Sequence, residues 1–125
     1  MERENPVVDK SLKFGLAIIH YCEELETRKR FVVSNQLLKC GTSIGANIHE
    51  AQHAESKSDF IHKMKIALKE AGETNYWLTL CEKCDNFPPV NNLRLMVDEL
   101  IRIISKIIVT SKTTTSIIKN SPKSR

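Results

Sequence analysis

A short motif of histidine and glutamate is the first feature of this sequence that could do chemistry. The run His49-Glu50-Ala51-Gln52-His53 has the H-E-x-x-H spacing of zinc proteases. On a helix, residues i and i+4 lie on one face, so both imidazoles could hold zinc while the glutamate serves as base. Such an enzyme also needs a third protein ligand and a substrate cleft. With no strand pattern to align a peptide, we expect no catalytic metal and keep His49 and His53 only as an alternative, adventitious metal-binding pair.

A C-x-x-C motif is the second candidate for chemistry. It spans Cys81-Glu82-Lys83-Cys84. A structural zinc site would need two more ligands, and Cys22 and Cys40 fall on the apolar stripes of other helices. Thioredoxin-like redox chemistry would need a strand followed by a helix, which is absent. We therefore expect Cys81 to pack in the core.

Carboxylates on the second and third predicted helices form the third candidate. Glu50, Glu70 and Glu73 could perform acid–base work or hold a metal inside a bundle. A di-iron site requires Glu-x-x-His on two helices, and here that pattern occurs once, at Glu50. We expect instead a structural polar core, without cofactor, formed by Ser43, Asn47, Glu50 and Glu73.

Basic residues on the third and fourth predicted helices are candidates for binding a polyanion. They are Lys57, Lys63, Lys65, Lys69, Arg94, Arg102 and Lys106. No aromatic platform for base stacking accompanies them, so any recognition should be of the phosphate backbone and not of sequence. The alternative is that these side chains only solvate the outer faces of their helices.

Composition places the chain among ordinary soluble domains. It has 125 residues, of which 41% are hydrophobic and 27% charged, enough for one domain with a real core. No apolar run approaches the ~20 residues that span a bilayer, and residues 1–4 lack the apolar segment of a secretion signal. We expect a cytoplasmic protein with reduced thiols and no membrane partner. The net charge is +4, and residues 56–125 hold 12 Lys and Arg against 7 Asp and Glu.

Apolar periodicity predicts four helices, at about 5–26, 34–54, 57–84 and 91–110. Asn5, Ser34 and Ser56 are the predicted N-caps, the last in a capping box with Asp59. The inner face of the first helix is predicted to carry Val8, Leu12, Gly15, Ile19 and Cys22. Residues 1–110 then form the bundle, and residues 111–125 form a basic, frayed tail.

Three residues of the second helix break the local rules. Gly41 and Gly45 lie in mid-helix, where each costs about 1 kcal/mol relative to alanine. Asn47 occupies an inward position, where an unpartnered amide is unfavourable. These residues make sense if a neighbouring helix passes very close, and we predict that it supplies a hydrogen-bond partner to Asn47. Small residues in the middle of the third helix suggest that helices two and three are close antiparallel neighbours.

The predicted fold class is all-α, an antiparallel up-down-up-down four-helix bundle. Its apolar stripes are wide. The fourth helix is apolar over nearly half its circumference, and Tyr76 and Trp77 lie beside the stripe of the third. Because a monomer seldom exposes that much apolar surface, we expect the bundle to be oligomeric.

The second helix resembles that of the four helix bundle proteins, also called 23S rRNA intervening-sequence proteins. The family's S-I-x-x-N-I-x-E core corresponds here to Ser43, Ile44, Asn47, Ile48 and Glu50. The segments 58–61 and 66–74 are similar to the family's third helix. The resemblance covers roughly residues 8–108.

The resemblance implies a ring-like homopentamer with no established catalytic residues. Some members are encoded inside insertions in large-subunit rRNA genes. A relative, the accessory variability determinant of diversity-generating retroelements, is a basic pentamer that engages nucleic acid and a reverse transcriptase. From this we expect a non-enzymatic homopentamer that associates with RNA or DNA. The alternative is an assembly or scaffold module that binds another protein and no nucleic acid.

Overall fold

The computed structural model describes residues 5–120, and side chains as far as residue 113. It contains four helices, α1 (Pro6–Thr27), α2 (Phe31–Ala51), α3 (Lys57–Lys83) and α4 (Asn91–Asn120), and no strand in the part of the chain it describes. The predicted all-α class with four helices is confirmed. Within the same residues, no helix is both long and apolar enough to cross a membrane.

The helices pack in a ring, with α1 against α2, α2 against α3, α3 against α4, and α4 against α1. Side-chain hydrogen bonds at both ends of α1 and α2 define how these two helices lie relative to each other. Asn5, just before α1, donates to Gln52, just after α2, at 3.0 Å. Ser34, in the first turn of α2, donates its hydroxyl to the carbonyl of Cys22 in the last turns of α1, at 3.2 Å. The first contact joins the start of α1 to the end of α2, and the second joins the end of α1 to the start of α2.

The core is built from the inward stripes of all four helices. Its largest fully buried side chains are Phe14, Ile18, Leu25, Leu37, Ile44, Ile48, Met64, Leu78, Leu100 and Ile104. Each such side chain contributes about 1.5–3 kcal/mol through removal of apolar surface from water. The bundle is therefore held by a continuous apolar core, with few buried polar groups.

The predicted inner face of α1 is wrong by one residue over most of its length. Val7, Ser11, Phe14 and Ile18 are buried, whereas Leu12 is 63% exposed and Ile19 is 40% exposed. Two apolar stripes lie side by side on this helix, about 100° apart. Apolar periodicity alone does not decide which of the two stripes faces the core. The core takes the stripe that includes the bulky Phe14 and leaves the other outside.

Two predicted helix ends also need correction. α2 begins at Phe31 and not at Ser34, so Ser34 is a buried helical residue and not an N-cap. α4 continues to Asn120, ten residues past the predicted end at 110, because no glycine or proline interrupts it. The first part of the predicted frayed tail is therefore helical, and residues 121–125 lie outside the described residues.

The predicted N-caps of α1 and α3 have different outcomes. Asn5 makes no side-chain cap bond, and its side-chain N–H donates to Gln52, the residue after α2. Ser56 does cap α3, and its hydroxyl accepts the backbone N–H of Asp59 at 3.0 Å. The predicted N-cap at Ser56 is confirmed, whereas the carboxylate of Asp59 accepts from the backbone N–H of Glu55, the residue before the cap, at 3.3 Å.

The glycines of α2 mark a very close approach by another helix, as expected, but that helix is α1. A Cβ on Gly41 would lie 2.9 Å from Cγ2 of Ile18, and a Cβ on Gly45 would lie 3.4 Å from the backbone oxygen of Ser11. Ile18 is fully buried and β-branched, so it has little freedom to move aside. Only glycine at 41 permits this spacing.

The turn between α1 and α2 also holds the loop between α3 and α4. Arg28 donates to the carbonyl of Asn86 at 2.6 Å, and the guanidinium of Arg30 lies 5.3 Å from the ring centre of Phe87. Tyr21 donates its hydroxyl to the carbonyl of Pro88 at 2.9 Å. The basic residues of this turn therefore stabilise one end of the bundle.

We predict opposite effects on the stability of the fold when either of two glycines within helices is replaced by alanine. Gly41→Ala should destabilise the fold by about 1–3 kcal/mol, because the added methyl overpacks against Ile18. Gly72→Ala is the matched control. Gly72 is exposed with no neighbouring atom within 4 Å of an added Cβ, so this change should stabilise by about 0.5–1 kcal/mol.

Urea unfolding followed by circular dichroism measures both changes. If Gly41→Ala proved as stable as the unmodified protein, the close packing of α1 on α2 would be wrong.

Candidate nucleic-acid interface

Four of the predicted cations lie exposed on the side of the bundle formed by α3 and α4. Lys65 and Lys69 are one turn apart on α3, and Arg102 and Lys106 are one turn apart on α4. None of these four forms an ion pair among the described residues. Their charges are therefore available to an external anion.

The other three predicted cations are less suitable. Lys63 lies 3.8 Å from the carboxylate of Glu50, and Arg94 lies 3.0 Å from that of Glu82. These pairs link α3 to α2 and α3 to α4, each with a modest contribution of about 0.2–1 kcal/mol. Lys57 is exposed in the first turn of α3, where the helix dipole disfavours a cation.

Lys112 is a cation that the sequence analysis placed in a frayed tail. The structure places it on α4, beside Lys65 of α3. Contact with the Lys65 side chain, and repulsion between the two charges, lower the pKa of Lys112 below that of an ordinary lysine. The uninterrupted helical sequence from Asn91 to Asn120 was the available signal for this position.

The predicted polar core does not form. Asn47 is half-buried at the outer edge of α2, and Ile48 takes the buried position next to it. The amide of Asn47 donates to the carbonyl of Ser43, in its own helix, at 2.9 Å. The prediction that a neighbouring helix supplies the hydrogen-bond partner of Asn47 is therefore wrong, because the carbonyl of residue i−4 in the same helix satisfies the amide.

The remaining members of that predicted core are also peripheral. Ser43 is half-buried and bonds the carbonyl of Lys39, while Glu50 and Glu73 are exposed. Carboxylates at the surface keep their hydration, so the fold incurs no desolvation cost for them. Together these residues line the outside of the α2–α3 pair.

The two histidines of the H-E-x-x-H motif are exposed neighbours at the end of α2. Their ring centres are 5.2 Å apart in an edge-to-face arrangement. In the region that the structure describes, no third His, Cys, Asp or Glu joins them to form a metal-binding group. Glu50 points toward Lys63 instead. The geometry gives no support to a zinc-protease site.

The two cysteines of the C-x-x-C motif have different surroundings. Cys81 is buried in the core, as its position on the apolar stripe suggested, whereas Cys84 is exposed after the end of α3. Cys22 and Cys40 are also buried. Burial raises the pKa of Cys22 to about 11 and raises those of Cys40 and Cys81.

An exposed apolar surface covers one side of α1 and α2. On α1, Leu12, Leu16 and Ile19 follow each other at spacings of four and three residues, so they share one face. The contact between Ile18 and Gly41 places Leu38, one turn before Gly41, at the same edge. Phe31 lies two turns before Leu38. We call these five residues the α1–α2 apolar face.

We predict that a thiol reagent will modify Cys84 alone in the native protein. The three buried thiols are shielded from the reagent, and their raised pKa values keep them protonated at neutral pH. Mass spectrometry after brief alkylation should show one adduct, and alkylation in denaturant should show four. Cys84→Ser is the control and should abolish the native adduct. Rapid native modification of Cys81 would contradict the packing of this helix end.

Comparison with known proteins supplies a family. A family model described as "23S rRNA-intervening sequence protein" matches residues 3–106. The chain is also similar to a solved structure from Bacteroides thetaiotaomicron, described as a protein with unknown function from the S23 ribosomal protein family. The two share 42% sequence identity with a TM-score of 0.78, over 82% of this chain and 97% of that one. No significant match was found among curated proteins.

Proposed function

The chain belongs to the 23S rRNA-intervening sequence protein family, and on this premise we propose that it acts as a non-enzymatic homopentamer that associates with nucleic acid. The bundle in this proposal runs up-down-up-down with antiparallel neighbours. The contacts at the paired helix ends support that topology.

The unpaired cations of α3 and α4 carry the nucleic-acid part of the proposal. Lys65, Lys69, Arg102 and Lys106 lie on two helices that pack together, so they present their charges on one side of the molecule. The chain has no acidic residue after Glu99, so the C-terminal half of α4 adds only positive charge to this side. Such a surface attracts phosphates over a Debye length and releases counterions when it binds them.

The α1–α2 apolar face supports self-association. Its members are 37–63% exposed in the isolated chain, and they lie close enough to form one surface. Monomeric proteins rarely leave such contiguous apolar patches in water, because burial against another subunit is favourable. The face lies on the α1–α2 side of the bundle, so assembly through it would leave the α3–α4 cations accessible.

A pentamer would strengthen weak phosphate contacts. Each subunit offers a few exposed cations, each of modest affinity. Five copies on one ring raise the effective concentration of every later contact once the first has formed. This explains how a chain with a net charge of only +4 could bind a polyanion usefully.

We predict salt-sensitive binding of both structured RNA and duplex DNA by the unmodified protein. Fluorescence anisotropy across a salt series gives the slope of log K against log[salt], and that slope counts the phosphates contacted. Arg102→Glu should weaken binding to every sequence and reduce the magnitude of the slope by about one. Lys39→Glu is the matched control, an exposed and unpaired cation on α2, and should leave the slope unchanged.

Binding of neither polymer at low salt would overturn the nucleic-acid association. The α1–α2 apolar face would then favour the second candidate function, a protein–protein assembly module without nucleic-acid binding. The exposure of the α1–α2 apolar face does not depend on the cations of α3 and α4, so it would still need an explanation.

We predict that Leu16→Lys will reduce the assembled mass without unfolding the subunit. Leu16 is 52% exposed on the α1–α2 apolar face, so a charge there disfavours subunit contact but not the core. Light scattering gives the mass and circular dichroism the fold. Leu95→Lys makes the same substitution at a leucine that is 70% exposed on α4, away from this face, and should leave the mass unchanged. An unchanged mass for Leu16→Lys would exclude this face as the interface.

A further inference from the structure

The end of α2 brings two histidine side chains together at the surface of the bundle. His49 lies in the last turn of the helix, and His53 lies two residues after its end at Ala51. Their ring centres are 5.2 Å apart, and the ring planes are inclined at 68°. These rings belong neither to the core, nor to the α1–α2 apolar face, nor to the cations of α3 and α4.

The backbone that carries the two histidines is held in place by hydrogen bonds. The N–H groups of residues 52, 53 and 54 donate to the carbonyls of residues 49, 50 and 51 at distances between 3.0 and 3.2 Å, so the helix closes with a tighter turn. The side chain of Gln52 donates to the carbonyl of Ile48 and accepts from Asn5, both at 3.0 Å. The turn is therefore anchored to its own helix and to the start of α1, and the fold itself sets the spacing of the rings.

The separation of the two rings matches the binding of one zinc ion. In proteins zinc lies about 2.0–2.1 Å from an imidazole nitrogen, which puts it ~3.2 Å from the ring centre. Two rings that bind the same ion at a tetrahedral angle then have their centres ~5.1 Å apart, and at a right angle ~4.5 Å apart. The observed 5.2 Å corresponds to the tetrahedral arrangement. Both rings are exposed, so each can turn a nitrogen toward the ion without disturbing the core.

The position of the pair at the end of a helix also favours a cation. The C-terminal end of a helix carries partial negative charge, and both histidines lie at that end of α2. The carboxylate of Glu50 lies 3.8 Å from Lys63, and within residues 5–113 it forms no group of three metal ligands with the histidines. The described part of the chain therefore supplies two ligands, and water completes the coordination of the ion.

We propose that His49 and His53 chelate one zinc ion, which holds the last turn of α2 closed before the chain enters α3. The role of the ion is structural, and the inference does not depend on the proposed nucleic-acid association. Unfolding separates the two rings, so an ion bound by both of them stabilises the folded chain.

Titration calorimetry with zinc chloride, on the full chain without an affinity tag, tests the chelate. The parent protein and every variant carry Cys84→Ser, which removes the exposed thiol as a competing ligand. His49→Ala and His53→Ala each delete one ligand. His62→Ala is the matched control, because His62 is an exposed histidine on α3 with no other histidine one turn away.

We expect one zinc ion per chain, bound by the parent protein about tenfold or more tightly than by either ligand variant, because the second imidazole acts as an intramolecular ligand. His62→Ala should bind zinc like the parent protein. In urea unfolding, zinc should raise the midpoint of the parent protein and of His62→Ala, and it should leave the midpoints of His49→Ala and His53→Ala unchanged.

Three results would overturn the chelate. The first is equal zinc affinity of the parent protein and His53→Ala, and the second is tight binding that is lost in His62→Ala. The third is weak binding to which every histidine contributes alike, which would be an adventitious ion only. Circular dichroism checks the fold of each variant, and all three histidines are exposed, so the substitutions should leave the helices intact.

Discussion

The close packing of α1 on α2 is the constraint on which the rest of the bundle depends. Gly41 lets Ile18 approach to a distance that any side chain would block, and one turn further along α2 a Cβ at Gly45 would just touch the backbone of Ser11, at 3.4 Å. This approach rotates α1 so that Phe14 and Ile18 enter the core. The neighbouring stripe of α1 is then necessarily turned outward, which makes the α1–α2 apolar face a direct consequence of the core packing.

The opposite side of the molecule, formed by α3 and α4, differs because exposed cations lie on both helices. The ion pair between Arg94 and Glu82 closes one end of their contact, where Arg28 also holds the connecting loop. At the other end α4 extends past the family region, and the approach of Lys112 to Lys65 is unrelieved by any acid nearby in sequence. The bundle thus carries an apolar side suited to subunit contact and a basic side suited to phosphate.

The two surfaces make the proposed assembly and the proposed binding compatible. Salt does not screen apolar burial, whereas it strongly weakens phosphate contact. A ring held through α1 and α2 would therefore persist at salt concentrations that release the nucleic acid.

Local patterns in the sequence determined the four helices, the cap of α3 at Ser56, the burial of Cys81 and the need for a close helix at Gly41. These features depend on the backbone within a few turns, which periodicity and residue type report directly. Only the tertiary structure decided which stripe of α1 is buried, that Asn47 bonds its own helix, and that α4 carries a lysine to Lys65. Each of these is a choice between locally equivalent arrangements, and the packing of neighbouring helices makes that choice.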